Sequence, residues 1–192
     1  MRKIKIFGIY FDIRAMNEQD IMIFSNGMTS DKFPLLERLD IIVEERNWEL
    51  DGLSFSWLVK SISRVLVHLK ELQFVCLANM KNIDSKTMDK EFGKLTSSLE
   101  KYGSQLTKLT LKIYRTNITD ASFSIFCVFL RKKLPTLAKF ALHVYECHNL
   151  TNKSIELLRT ALTQLTATIP IVDVLICKCG NLNSFLFYVK VD

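Results

Sequence analysis

The 192-residue sequence is poor in glycine and histidine, with six of the first and three of the second. It contains no G-x-G-x-x-G and no G-x-x-x-x-G-K, so nothing is arranged to cradle a nucleotide phosphate. The histidines are His68, His143 and His148. His148 follows Cys147, but neighbours in a strand-to-turn segment face different ways, and no third orienting group recurs nearby. No catalytic residue, no cofactor and no small-molecule substrate is therefore expected. Long apolar runs are also missing. Nothing approaches the roughly 18 uninterrupted apolar residues of a membrane span, and the opening MRKIKIFGIYFDIR lacks the apolar stretch and cleavage site of a secretory signal. These absences predict an intracellular, cytoplasmic protein with no membrane insertion.

Cysteine is present but unsuited to a disulfide framework, because the five residues Cys76, Cys127, Cys147, Cys177 and Cys179 form an odd set. Reduced thiols packed in a core fit them better. Cys177 and Cys179 are too closely spaced for a usual zinc pair and no second pair exists, so no metal site is predicted.

What remains is a globular composition, 48% apolar and 24% charged, sufficient for a single domain over residues 1–192. The net charge of +6 and a pI near 9.1 suit contact with an acidic protein surface or with RNA. The basic cluster Arg131-Lys132-Lys133 falls where a helix should end and complements its dipole.

A repeat organises the chain. The markers Ala15, Glu49, Asn82, Asn117, Asn149 and Asn181 are separated, by subtraction, by 34, 33, 35, 32 and 32 residues. After each stands an apolar residue: Met16, Leu50, Ile83, Ile118, Leu150 and Leu182. Next comes a side chain able to accept a hydrogen bond from the free N–H groups that open a helix: Asn17, Asp51, Asp84, Thr119, Thr151 and Asn183. Six residues beyond the markers stand Ile21, Phe55, Met88, Phe123, Ile155 and Phe187. Apolar residues then continue at helical spacing in most repeats, so a capped amphipathic helix is expected after each marker.

Before the markers the period falls to two. Leu36-x-x-Leu39-x-Ile41-x-Val43, Leu106-x-x-Leu109-x-Leu111-x-Ile113 and Leu137-x-x-Phe140-x-Leu142-x-Val144 read as short strands with one buried face. Leu69-x-x-Leu72-x-Phe74 and Ile171-x-x-Val174-x-Ile176 belong with them. One strand and one helix cannot bury their own apolar sides, so neighbours must stack, with parallel pairing and right-handed connections. The other architecture that alternates strand and helix is a doubly wound α/β domain. The expected repeat boundaries are 1–34, 35–68, 69–105, 106–136, 137–170 and 171–192.

In these residues the chain resembles a leucine-rich repeat protein. Ile171-x-x-Val174-x-Ile176-x-x-Cys179-x-x-Leu182 has the spacing of the cysteine-containing subclass seen in F-box-type proteins, and Asn117-Ile118-Thr119-Asp120-Ala121-Ser122-Phe123 is similar to its I-T-D-x-G-L segment. The resemblance implies an α/β solenoid of five to six repeats. Units longer than the usual 20 to 29 or so residues imply a ribonuclease-inhibitor-like horseshoe, with a parallel sheet on the concave side and helices on the convex side.

On such a sheet the residues between the leucines point to the concave face. The expected partner-binding residues there are Ile42; Val75 and Leu77; Lys108, Lys112 and Tyr114; Lys139, His143 and Tyr145; and Leu175. They form an apolar and aromatic stripe flanked by lysines, the mixture of a protein interface. The final FLFYVKVD is neither polar nor a good helix, and Phe185, Phe187 and Tyr188 are expected to pack the C-terminal edge against another subunit. The first functional expectation is a noncatalytic interaction scaffold, a small subunit of a larger complex of protein chains. The alternatives are the substrate-recognition repeats of an F-box-like ubiquitin-ligase system, which would need an F-box from elsewhere, and an RNA-contacting subunit of a ribonucleoprotein.

Overall fold

The computed structural model describes residues 4–11, 18–43, 51–132, 134–179 and the backbone of 185–190. Among the described residues seven strands form one sheet in chain order: β1 (Ile6–Phe11), β2 (Arg38–Val43), β3 (Glu71–Cys76), β4 (Lys108–Tyr114), β5 (Lys139–Tyr145), β6 (Ile171–Cys177) and β7 (Phe185–Lys190). The first six are all parallel. A helix lies between each successive pair: α1 (Glu18–Gly27), α2 (Gly52–Val65), α3 (Ser85–Tyr102), α4 (Asp120–Arg131) and α5 (Asn152–Leu165). No strand is inserted between chain neighbours, so the strand-order reversal of a doubly wound sheet does not occur. Each helix packs against its chain neighbours. The apolar face of every unit is thus closed by the next one, as stacking requires.

The strands carry the expected alternation. In register, Leu39, Leu72, Leu109, Phe140 and Val172 form one buried row and Ile41, Phe74, Leu111, Leu142 and Val174 the next, all fully buried. Their counterparts on the helices are the described residues that stand six beyond the markers. Phe55, Met88, Phe123 and Ile155 are buried, as is Ile21 on α1. Phe126 is the aromatic centre of this layer, with ring centroids 5.4 Å from Phe92, 6.2 Å from Phe123 and 5.8 Å from Phe129.

Four of the six expected caps act as such. Asp51 accepts from the Ser54 N–H at 2.6 Å, Asp84 from Thr87 at 2.9 Å, Thr119 from Ala121 at 3.1 Å and Thr151 from Lys153 at 3.3 Å. Asn17 and Asn183, with the markers Ala15, Glu49 and Asn181, lie outside the described residues. Two marker asparagines bind the preceding repeat. Asn117 donates through Nδ2 to the Lys81 and Ile83 carbonyls at 2.6 and 2.9 Å, and Asn149 donates to the Asn117 carbonyl at 3.5 Å. α4 does end at Arg131, whose Nε reaches Gln164 on α5 at 3.2 Å, while Lys132 pairs with Glu100 on α3. Lys133 lies outside the described residues.

Two expectations fail. The sixth unit does not continue into a helix: the segment holding Phe187 is strand β7, antiparallel to β6, with Phe187 in register with Val174. Its aromatic and β-branched composition, Phe185-Leu186-Phe187-Tyr188-Val189, favours a strand. The β6 edge, which would otherwise offer a row of free N–H and C=O groups, is thereby paired within the chain. The second failure is a shift of two residues in the sixth repeat. Ile169, buried, sits where Leu137 does, and Ile171 is in register with Lys139 on the opposite face. A two-residue slip leaves period-two alternation unchanged, so only pairing reveals it. The sheet face opposite the helices is the open face.

Candidate interaction site

The open face is built by the residues that alternate with the buried rows. Pairing places Ile42, Val75, Lys112, His143 and Leu175 in one row across β2 to β6, Lys108 beside Lys139 in another, and Tyr114 beside Tyr145 at the strand ends. All ten residues expected on this face lie on its strands or, for Leu77, immediately after β3, where its N–H donates to the Val43 carbonyl at 2.9 Å. Val75 departs from expectation in exposure. It is only 8% exposed, between Ile42 and Lys112 in its row. It therefore contributes floor rather than contact.

Leu77, Tyr114, Tyr145 and Leu175 converge at the C-terminal ends of β3 to β6 around a cavity of about 460 Å³. The two tyrosine rings lie 5.5 Å apart at 33°. Three further residues complete the lining: Arg115, Glu146 and Lys178. Each immediately follows its strand and adopts a left-handed backbone, with φ of 52°, 56° and 53°. For a residue with a Cβ this conformation costs about 1–2 kcal/mol. Hydrogen bonds hold the turns in it: the Arg115 N–H donates to the Tyr145 carbonyl at 2.8 Å, and the Glu146 N–H to the Cys177 carbonyl at 3.0 Å.

The three charges form a connected set. Arg115 Nε donates to Glu146 Oε2 at 2.9 Å, and Lys81 Nζ lies 4.0 Å from the same oxygen. Lys178 Nζ sits 5.2 Å from the Tyr145 ring centre, and its hydrogen bond to Tyr145 holds the ammonium above its ordinary pKa. The result is a recess walled by two leucines and two tyrosines under a rim with two cations and one carboxylate. The sequence expectation found the recess walls through the period-two pattern. It missed the rim, although Arg115, Glu146 and Lys178 share one signal, the residue directly after the strand in three successive repeats.

Elsewhere on the face, His143 Nε2 lies 3.0 Å from Asp173 Oδ2, while Arg38 reaches Asp40 at 2.8 Å and Glu71 at 3.7 Å. Phe185, Phe187 and Tyr188 lie on β7, in register with Ile176, Val174 and Asp173.

A larger groove, about 610 Å³, runs between α2 and α3. It is lined by hydroxyls and lysine stems, with Ser98 donating to Ser63 at 2.8 Å and Lys94 to Glu91 at 2.7 Å. It contains no aromatic anchor, so the smaller recess is the better interaction site.

Four of the five cysteines are buried and behave as core, while Cys177 is half-exposed. None forms a disulfide. Burial pushes the Cys76 and Cys127 thiols up to about 12 and holds Cys147 well above its ordinary value. Cys147 is fully buried while His148 is exposed, so the adjacent pair faces different environments. Among the described residues no group of three or more His, Cys, Asp or Glu could hold a metal ion, and no helix is long and apolar enough to cross a membrane. No family model matches the chain, and no curated protein matches its sequence significantly.

Proposed function

We propose that the protein is a noncatalytic interaction module of the leucine-rich repeat type, ribonuclease-inhibitor-like, which holds another protein chain against its open sheet face as a small subunit of an intracellular complex. The observation that carries this reading is the recess at the strand ends. Tyr114 and Tyr145 lie side by side next to Leu77 and Leu175, each only half-buried. Large apolar side chains gathered in a partly open recess are the kind of anchor site that dominates protein interfaces. A stacked sheet with successive helices supports the solenoid reading, as do marker asparagines that bond back to the preceding repeat. The noncatalytic reading rests on the adjacent Cys147 and His148, which face different environments, the thiol buried and the imidazole exposed.

The test is affinity purification of the full tagged chain from its native host, in parallel with a Tyr114→Ala/Tyr145→Ala variant. A stoichiometric set of protein chains that the variant loses is expected. The same set retained by a folded variant overturns the open face as the site. Cullin-type ligase components in the set would move the role to substrate recognition, and RNA alone would replace the protein partner.

A further inference from the structure

The open face is not uniformly charged, and the pattern restricts what can lie on it. At the β2 side Arg38 is taken by Asp40 and Glu71, and at the β6 side Asp173 is taken by His143. Between them, β4 and β5 carry Lys108, Lys112 and Lys139, none with an ion-pair partner among the described residues. Glu71 is in register beside Lys108, yet its carboxylate reaches the other way to Arg38. Lys108 and Lys112 are also half-buried, without a carboxylate partner among the described residues. The same two strands end in the tyrosine pair, where Lys178 adds another cation to the rim.

We propose that the occupant of this face is an extended acidic segment of a partner protein. It lies along β4 and β5, sets one large apolar side chain between Leu77, Leu175 and the two tyrosines, and presents carboxylates to Lys112, Lys108 and Lys139. The proposal rests on the interaction reading above and deepens it by naming the chemistry of the partner. Lys108 and Tyr114 are six residues apart on one strand, about 20 Å at 3.3 Å per residue, so six or seven extended residues cover the distance. Opposite charges set register and speed encounter, while the buried apolar anchor supplies most of the affinity. A nucleic acid fits less well. A flat base does not need a recess walled by two leucines.

The full chain is titrated against a fluorescein-labelled octapeptide of glutamates with one phenylalanine near its end, read by fluorescence polarisation. Three further probes are the same peptide with alanine for phenylalanine, the same peptide with lysine for every glutamate, and a twelve-residue oligouridylate. The acidic phenylalanine peptide is expected to bind, with affinity falling on the order of tenfold or more for the alanine version and further in about 0.5 M salt. Lys112→Glu, a surface change checked for native circular dichroism, is expected to weaken binding similarly. Equal binding of the lysine peptide, tighter binding of oligouridylate, or indifference to Lys112→Glu would overturn the proposal. Failure of the acidic peptide, with partner chains still lost from the tyrosine-pair variant, rejects the acidic occupant alone. Retention of those chains rejects the face itself.

Discussion

The Asp120 carboxylate, in the first turn of α4, closes the start of α5 one repeat away: it accepts from the Thr151 N–H at 2.9 Å and the Thr151 hydroxyl at 2.5 Å, and also takes the Ser154 hydroxyl. The pattern recurs one unit earlier, where Asp89 on α3 accepts from the Thr119 N–H at 2.9 Å and from the Thr119 and Ser122 hydroxyls at 2.6 Å each. A helix start has orphan N–H groups and a positive dipole end, so a carboxylate from the neighbouring helix satisfies both. In a stack where each unit touches only its neighbours, such a bond joins one repeat to the next.

Asp120→Ala is expected to destabilise the protein by about 1–3 kcal/mol, the usual cost of removing a charged acceptor from several donors. Asp89→Ala should act alike, and the double variant should depart from additivity, because Asp89 fixes the first turn of α4 from which Asp120 reaches α5. Urea unfolding measures all three, and a change below about 0.3 kcal/mol for either single variant would remove the latch from the account.

The same carboxylate makes stability fall in acid. Burial alone would raise the Asp120 carboxyl, but the Ser154 and Thr151 donors outweigh it, so its pKa in the folded protein lies below the ordinary 3.8. A group lowered on folding contributes its stability above the unfolded value and loses it as pH drops through the folded value. The wild-type curve should therefore decline below about pH 4, and Asp120→Asn should decline less steeply there. Thermal melts from pH 2.5 to 7 compare the two slopes.

Phe126→Ala removes a ring that meets Phe92, Phe123 and Phe129 and is fully buried. A loss of about 3–5 kcal/mol is expected, transfer and cavity terms together. Ile125 beside it on α4 is 52% exposed. Ile125→Ala should cost well under 1 kcal/mol, so the pair measured by denaturant melts checks which face of α4 is inward.

Alkylation should distinguish the cysteines. Cys177 is half-exposed and the other four are buried. Iodoacetamide on the native protein is expected to modify Cys177 first, as read by mass spectrometry, and all five only in denaturant. Early labelling of Cys147 would contradict its placement and reopen the question of a nucleophile.

Lys178→Gly relieves a left-handed residue at φ 53°. Glycine adopts that backbone without penalty but loses more entropy on folding, which leaves a gain of up to about 1 kcal/mol. Loss of the cation from the rim should at the same time weaken partner binding. Stability rising while binding falls would separate the two roles of this position.

The repeat was legible because each of its signals is local. A cap such as Asp51 or Thr119 needs only its own helix start, and the alternation of Leu109, Leu111 and Ile113 with Lys108, Thr110 and Lys112 assigns two faces from one strand. The latch was not legible. Asp89 and Asp120 stand seven and three residues after their markers, so they share no column, and only the packing of α3 on α4 and of α4 on α5 brings them to equivalent places. Phe187 misled for a related reason. It satisfied the apolar column six residues after the marker, while its strand-forming neighbours and the free edge of β6 decided its conformation.

From residues alone, the chain determined that it would alternate capped helices with half-buried strands and which side chains would share a face, since both follow from periodicity and from the hydrogen-bonding needs of a helix start. Tertiary structure decided the register of β6, the antiparallel return of β7, and the gathering of Arg115, Glu146 and Lys178 around the tyrosine pair. These depend on which segments lie side by side across some thirty residues of intervening chain, and period two looks the same after any shift by two.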